Sequence, residues 1–344
     1  MSALQQRPHG PWVGGLPEPE EADHREDERG EGSRGSGRAD RSRWRPSAWE
    51  LLRYGSLIVL AWVLLAGYWK PHPIPSLALP AVALVWWWPE LRRPHPERWL
   101  FFYVAGIYLY TVLRAYADDV GLTVQADYVI AFDRVLFLGN VPTVELQRAL
   151  FTPWRIDVID LLAVATHWSF FVVPHAMFAL LWFRRRSLVA KYAAAMLITL
   201  YAGLLLFWLT PTVPPWLAAR QGDLSETYRV MNFVTRGLDV DAYRELYGTM
   251  AGPNAVASVP SIHMALTFLV LLAVRDTYPR LTWPMVGYNV VMAFSLVYLG
   301  EHYVFDLMVG MLIASAAYYA LRFSRSSRPV PGAGPAEGVP AHVE

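Results

Sequence analysis

Four of the nine histidines lie where a side chain could do chemistry. His167 and His175 fall within one apolar run, and His263 and His302 stand at the ends of two others. The remaining five, His9, His24, His72, His95 and His342, sit in polar or Pro-rich segments. His302 belongs to Leu299-Gly300-Glu301-His302-Tyr303-Val304-Phe305-Asp306. On a helix, residues four apart share a face, so the Asp306 carboxylate can reach the His302 imidazole. A carboxylate on one ring nitrogen fixes the tautomer and leaves the other nitrogen a better nucleophile or base. A carboxylate one turn into lipid also demands a partner. A structural His–Asp bond tying two helix ends together is the plainer alternative.

His263 closes Ser258-Val259-Pro260-Ser261-Ile262-His263, where another apolar run begins. Ser258 is expected to cap that helix and Pro260 to occupy its first turn. The free amides of such a turn make a seat for an oxyanion such as phosphate; a plain helix cap that happens to contain a histidine is the alternative. Two histidines and an aspartate could also ligate a metal. Glu301 is the nearest further ligand, but adjacent helical residues point about 100° apart, so the metal reading is the weaker one. His167 lies within its run beside Thr166 and Ser169, and an interhelical hydrogen bond is its simpler role. Pro174 and His175 are expected to mark a kink.

These residues must be carried by membrane helices. The chain of 344 residues is 54% hydrophobic and 17% charged, against about a quarter charged in soluble domains. Eight Arg and nine Asp or Glu crowd into residues 1–47, leaving too little charge elsewhere to coat a water-soluble body. Residues 1–47 and 323–344 read as disordered cytoplasmic tails, with no cleavable signal peptide in the first. The absence of Cys excludes disulfides and a thiolate nucleophile. A net charge of +1 argues against nucleic acid as a partner.

Eight apolar runs are long enough to be considered as spans: 52–69, 74–88, 99–116, 157–183, 188–209, 261–275, 283–300 and 303–322. A re-entrant hairpin competes for 74–88, which is short and holds Pro80. With both termini inside, Arg41–Arg53, Arg92–Arg98, Arg184–Lys191, Arg275–Arg280 and Arg322–Arg328 all fall on the cytoplasmic side. The loops 117–156 and 210–260, with His263 and His302, then face outward. The expected fold is therefore all-α, a polytopic membrane bundle of about eight spans. Residues 48–98 form two accessory spans, and 99–322 form a catalytic domain with a six-helix core.

At this point the chain resembles a known family. Pro260-Ser261-Ile262-His263 is similar to the Pro-Ser-x-His signature of the type-2 phosphatidic acid phosphatase superfamily. Ser295 to Asp306 is similar to its Ser-Arg-x5-His-x3-Asp signature. The loop Thr210-Pro211-Thr212-Val213-Pro214-Pro215-Trp216 to Arg220 resembles the branch that contains fungal inositol phosphorylceramide synthase, and so does Asp133 to Gly139. The superfamily's Lys-x6-Arg-Pro signature is absent, and Leu296 replaces the Arg after Ser295, as the inositol-transferring branch also departs there.

The resemblance implies an integral membrane enzyme of a bacterial plasma membrane that removes or transfers a phosphorylated head group at the extracytoplasmic face. Its partner would be a phospholipid or polyprenyl-phosphate substrate, and no cofactor is required. His302 would attack phosphorus to form a phosphohistidine, steadied by Asp306, while His263 moves the proton. Ser261, Arg220 and Arg114 would hold phosphate, arginine being the natural bidentate substitute for the missing pair. Both arginines could instead contact lipid head groups. The rival class is a transporter or scaffold with a structural or proton-coupled His–Asp pair.

Overall fold

The computed structural model describes residues 98–115, 121–237 and 256–321, with scattered positions between 48 and 92. The expected tails 1–47 and 323–344 lie outside the described residues, as do nearly all of 52–69 and most of 74–88.

Away from water a backbone must bond to itself, so apolar runs become helices. In chain order these are α1 (Arg98–Arg114), α2 (Asp127–Leu136), α3 (Pro142–Leu150), α4 (Val158–Ser169), α5 (Val173–Arg184) and α6 (Arg186–Leu209). Then come α7 (Pro215–Gln221), α8 (Val230–Gly237), α9 (Ile262–Thr277), α10 (Thr282–Tyr298) and α11 (Val304–Ala320). Among the described residues the only β pairing is two isolated bridges. The runs 99–116, 188–209, 261–275, 283–300 and 303–322 correspond to α1, α6, α9, α10 and α11. The run 157–183 is two helices, α4 and α5, bent by 44°. Pro174, in the first turn of α5, lacks the amide that would continue the ladder from α4.

α6 and the segment Pro279–Tyr298 are long and apolar enough to cross a membrane, and α4 with α5 makes a third if taken as one broken span. The bundle interior is apolar: Leu181 from α5, Leu188, Tyr192 and Met196 from α6, Leu269 from α9 and Tyr318 from α11 meet there. Its outside is apolar too, with Leu162, Leu205, Val290 and Leu312 exposed. Lipid gives leucine no reason to hide, so an apolar flank is what a membrane bundle presents.

A second layer covers the end where α6 stops and α9 and α11 begin. Val129 and Ile130 from α2, Val144 from α3, Ala218 from α7 and Val259 and Tyr303 form its core. Three loops run side by side beneath it. The Thr212 amide donates to the Val256 carbonyl at 2.7 Å, the Ser258 amide to the Thr212 carbonyl at 3.1 Å, and the Gln125 amide to the Pro211 carbonyl at 3.0 Å. α9 and α11 pack on one another at their N-terminal ends, where a side chain at Gly310 would collide with the Ser261 carbonyl. That close approach brings the two histidine-bearing segments together.

Candidate active site

The chain turns from α10 into α11 through Gly300, whose φ is +78°. A Cβ there would also lie 2.6 Å from the Tyr228 carbonyl oxygen, so only glycine fits both the dihedral and the space. Gln147 of α3 secures the turn from behind. Its Nε2 donates to the carbonyls of Tyr228 at 2.9 Å and Tyr298 at 2.8 Å, and its Oε1 accepts the Tyr228 amide at 2.8 Å.

His302 leaves this turn almost wholly buried, its Nδ1 3.1 Å from Asp306 Oδ2. The same oxygen accepts Ser258 Oγ at 2.6 Å and the Tyr303 amide at 3.0 Å. Three donors on one oxygen hold the carboxylate in a single rotamer. With a carboxylate on Nδ1, the ring proton sits there and Nε2 keeps its lone pair. Asp133, reaching across from α2, caps α11 from outside: its two carboxylate oxygens accept the amides of Val304 and Phe305, each at 3.1 Å. Burial outweighs these two bonds, and the Asp306 charge adds to it, so the Asp133 carboxyl is pushed up to about 6.

Ser261, not Ser258, caps α9, its Oγ accepting the Met264 amide at 3.3 Å. Ser258 is drawn away to Asp306, and Pro260 precedes the cap instead of occupying the first turn. The Ser261 amide donates to the Asp306 carbonyl at 3.0 Å, so the anion seat of this turn falls to the amides of Ile262 and His263. His263 is half-buried, and its Nδ1 lies 3.3 Å from His302 Nε2 across 39 residues of sequence. This is the outer edge of hydrogen-bonding distance.

The arginines divide. Arg114, at the end of α1, lies within electrostatic reach of His263. Arg220, exposed in the last turn of α7, holds its guanidinium 5.1 Å from the centre of the Trp216 ring. Arg229 stands over the same ring at 5.0 Å. Arg229 also grips Glu301 with two bonds, Nε to Oε1 at 2.6 Å and Nη2 to Oε2 at 3.0 Å. Burial opposes the Glu301 charge, but the Arg229 guanidinium outweighs it and holds the carboxyl below its ordinary value. Arg229 reaches both His167 and His263 electrostatically. Its only signal in sequence is a cation in the stretch 210–260, which does not reveal a partner 72 residues away. Arg220, Arg229 and Arg236 line a cleft of about 360 Å³ with Glu226, Tyr228 and Asn232. With Glu301 turned to Arg229, no three His, Asp or Glu side chains among the described residues are grouped so as to hold a metal.

The hydrogen bond expected of His167 is made by its neighbour. Ser169 Oγ donates to the Thr166 carbonyl at 2.6 Å and pairs with Tyr288 Oη of α10 at 2.7 Å. His167 is fully buried with its ring centre 4.5 Å from that of His263. His175, just past the bend, lies 2.6 Å through its Nδ1 from Tyr103 Oη of α1.

The fold and site together define an all-helical membrane protein with two histidines and an aspartate gathered at one end of its bundle. A family model described as PAP2 superfamily matches residues 127–320, from α2 to the end of α11. The chain belongs to that superfamily, and membership points to phosphatase or phosphotransferase activity. No curated protein and no solved structure matches the chain.

Proposed function

We propose that the protein is a lipid phosphatase or phosphotransferase working through a phosphohistidine on His302. The observation that carries this reading is the line Asp306–His302–His263, in which Asp306 holds Nδ1 and His302 Nε2 stands 3.3 Å from His263. His302 Nε2 attacks phosphorus as the bond to the head-group or lipid oxygen breaks, and His263 gives that oxygen a proton. His263 then takes a proton from water or an acceptor alcohol, whose oxygen displaces His302. The amides of Ile262 and His263, fixed by the Ser261 cap, stabilise the charge on the phosphoryl oxygens together with Arg114, Arg220 and Arg229. The substrate is a phospholipid or polyprenyl phosphate, and transfer of an inositol-phosphate type of head group is the favoured transferase form. Eight spans with both termini inside, two of them accessory within 48–98, put this site on the extracytoplasmic face.

The test is a panel of phospholipids and polyprenyl phosphates given to purified protein in detergent, with and without a polyol acceptor. Phosphate release or head-group transfer is expected, with acid-labile, base-stable phosphorylation that His302→Ala lacks. Near-normal turnover by His302→Ala would overturn the reading. Vanadate should inhibit and chelators should not; loss in EDTA with recovery on adding a divalent metal would point to a metal site instead. Sidedness is read by single cysteines in this Cys-free chain. A Cys at Asp223 should react with an impermeant maleimide in intact cells, and one at Ser187 only after lysis.

A further inference from the structure

The reaction above leaves a buried histidine beside the site without a task. His167, in the last turns of α4, is fully buried, and neither Nδ1 nor Nε2 has a hydrogen-bond partner. A neutral imidazole carries one donor and one acceptor, and a charged one carries two donors. Burial without partners is therefore unfavourable in either state. Phe would fill the same space without that penalty.

The place is not an ordinary part of the core. The His167 ring lies 4.5 Å from that of His263 at an interplanar angle of 38°. Glu301, His302 and Arg229 also lie within its electrostatic reach. His263 Nδ1 is in turn 3.3 Å from His302 Nε2. A phosphorus atom that bonds to Nε2 enters beside His263, the ring on which His167 packs, and its non-bridging oxygens point among the side chains clustered there. Among those, His167 alone has two buried nitrogens with no partner in the protein.

We propose that His167 is a third imidazole of the site, donating a hydrogen bond to a non-bridging oxygen of the transferring phosphoryl group. This rests on the phosphoryl-transfer reading above. His167 forms no covalent bond and keeps its own proton: the exchange of P–O for P–N stays with His302, and the transferred proton with His263.

The test compares wild type, His167→Phe and His167→Gln in detergent. Orthovanadate binding is followed by calorimetry, alongside turnover of the panel lipid that wild type uses fastest. Phe keeps the ring and removes the nitrogens; Gln keeps a donor. Loss of one hydrogen bond predicts about tenfold weaker vanadate binding for His167→Phe. A larger fall in kcat than rise in KM should accompany it, because the bond strengthens as charge develops on the oxygens. His167→Gln should recover most of both losses. If Phe lowers the unfolding temperature, His167→Met, flexible and without a donor, replaces it in the comparison. Wild-type vanadate binding and kcat in the donor-free variants would overturn this inference, as would equal losses in folded Gln and Phe variants. Wild type that neither binds vanadate nor forms phosphohistidine would instead overturn the proposed function itself.

Discussion

The segment that carries His302 and the segment that carries His263 meet at 3.3 Å, yet they are built on different terms. The segment around His302 is held by hydrogen bonds. Asp306 Oδ2 takes three donors, Asp133 caps the helix that follows, and Gln147 pins the turn that precedes. Around His263 the contacts are rings, with His167 and Phe170 each centred 4.5 Å away. A nucleophile must keep one nitrogen aimed, and directional bonds achieve that. A proton carrier must exchange its partner during each half-reaction, and non-directional packing leaves its nitrogens available for that. The difference between the two halves follows from the difference between the proposed tasks.

The largest expected effect comes from removing the charge that aims His302. Asp306→Asn keeps one carbonyl oxygen for Ser258, Tyr303 and His302 Nδ1 but removes the negative charge that holds the ring proton on Nδ1. We expect kcat to fall by on the order of 10³–10⁴, with little change in unfolding temperature. A fall of less than tenfold would remove the argument that directional bonding defines the His302 half.

Arg229 links the two halves, so its removal sharpens the comparison. Arg229→Gln leaves the Glu301 carboxylate buried without its cation, which costs about 3–5 kcal/mol of stability in a buried pair. Adding Glu301→Gln should restore most of the stability. If activity returns with it, Arg229 serves only Glu301; if activity stays about 10²-fold down, Arg229 serves the phosphoryl group. Thermal unfolding and turnover of the single and double variants separate these outcomes.

Gly300→Ala tests the turn itself. A Cβ at φ +78° and 2.6 Å from a carbonyl oxygen strains the fold by about 1–3 kcal/mol, and His302 moves with the turn. A drop in both unfolding temperature and kcat is expected. Unchanged kcat would show that His302 tolerates displacement as readily as the packed half does.

The smallest effect is one of pH. The folded Asp133 carboxyl is raised from 3.8 to about 6, so between those values the folded protein holds a proton that the unfolded chain has released. Stability from this group is complete below about pH 3.8 and declines as pH rises through 6. Asp133→Asn should flatten that part of the profile of unfolding temperature against pH by a few degrees. An identical slope in both proteins would show that the cap on α11 does not titrate there.

Much of this was legible in the chain. The helices α1, α4 to α6 and α9 to α11, their approximate ends and the apolar flanks follow from runs of apolar residues, because lipid leaves the backbone no other way to satisfy itself. Helices α2, α3, α7 and α8 lie in the stretches 117–156 and 210–260 read as loops, and no apolar run announced them. The bond between His302 and Asp306 is readable because it lies within one helical turn, where spacing alone decides who meets. The bend in the run 157–183 was signalled by Pro174, although its angle of 44° was not.

Partners chosen across the bundle were not legible. Ser258 looked like a helix cap and serves Asp306; Asp133, part of a stretch noted only for its resemblance, caps α11 from another helix. Nothing in the chain paired Arg229 with Glu301 or set His167 against His263. By itself, then, the amino-acid sequence determined a helical membrane protein with a His–Asp pair at a helix start. Tertiary structure alone decided which side chains face that pair. Local periodicity sets what a helix is, but helix packing, down to the contact at Gly310 that admits no side chain, sets which residues from distant segments share a space.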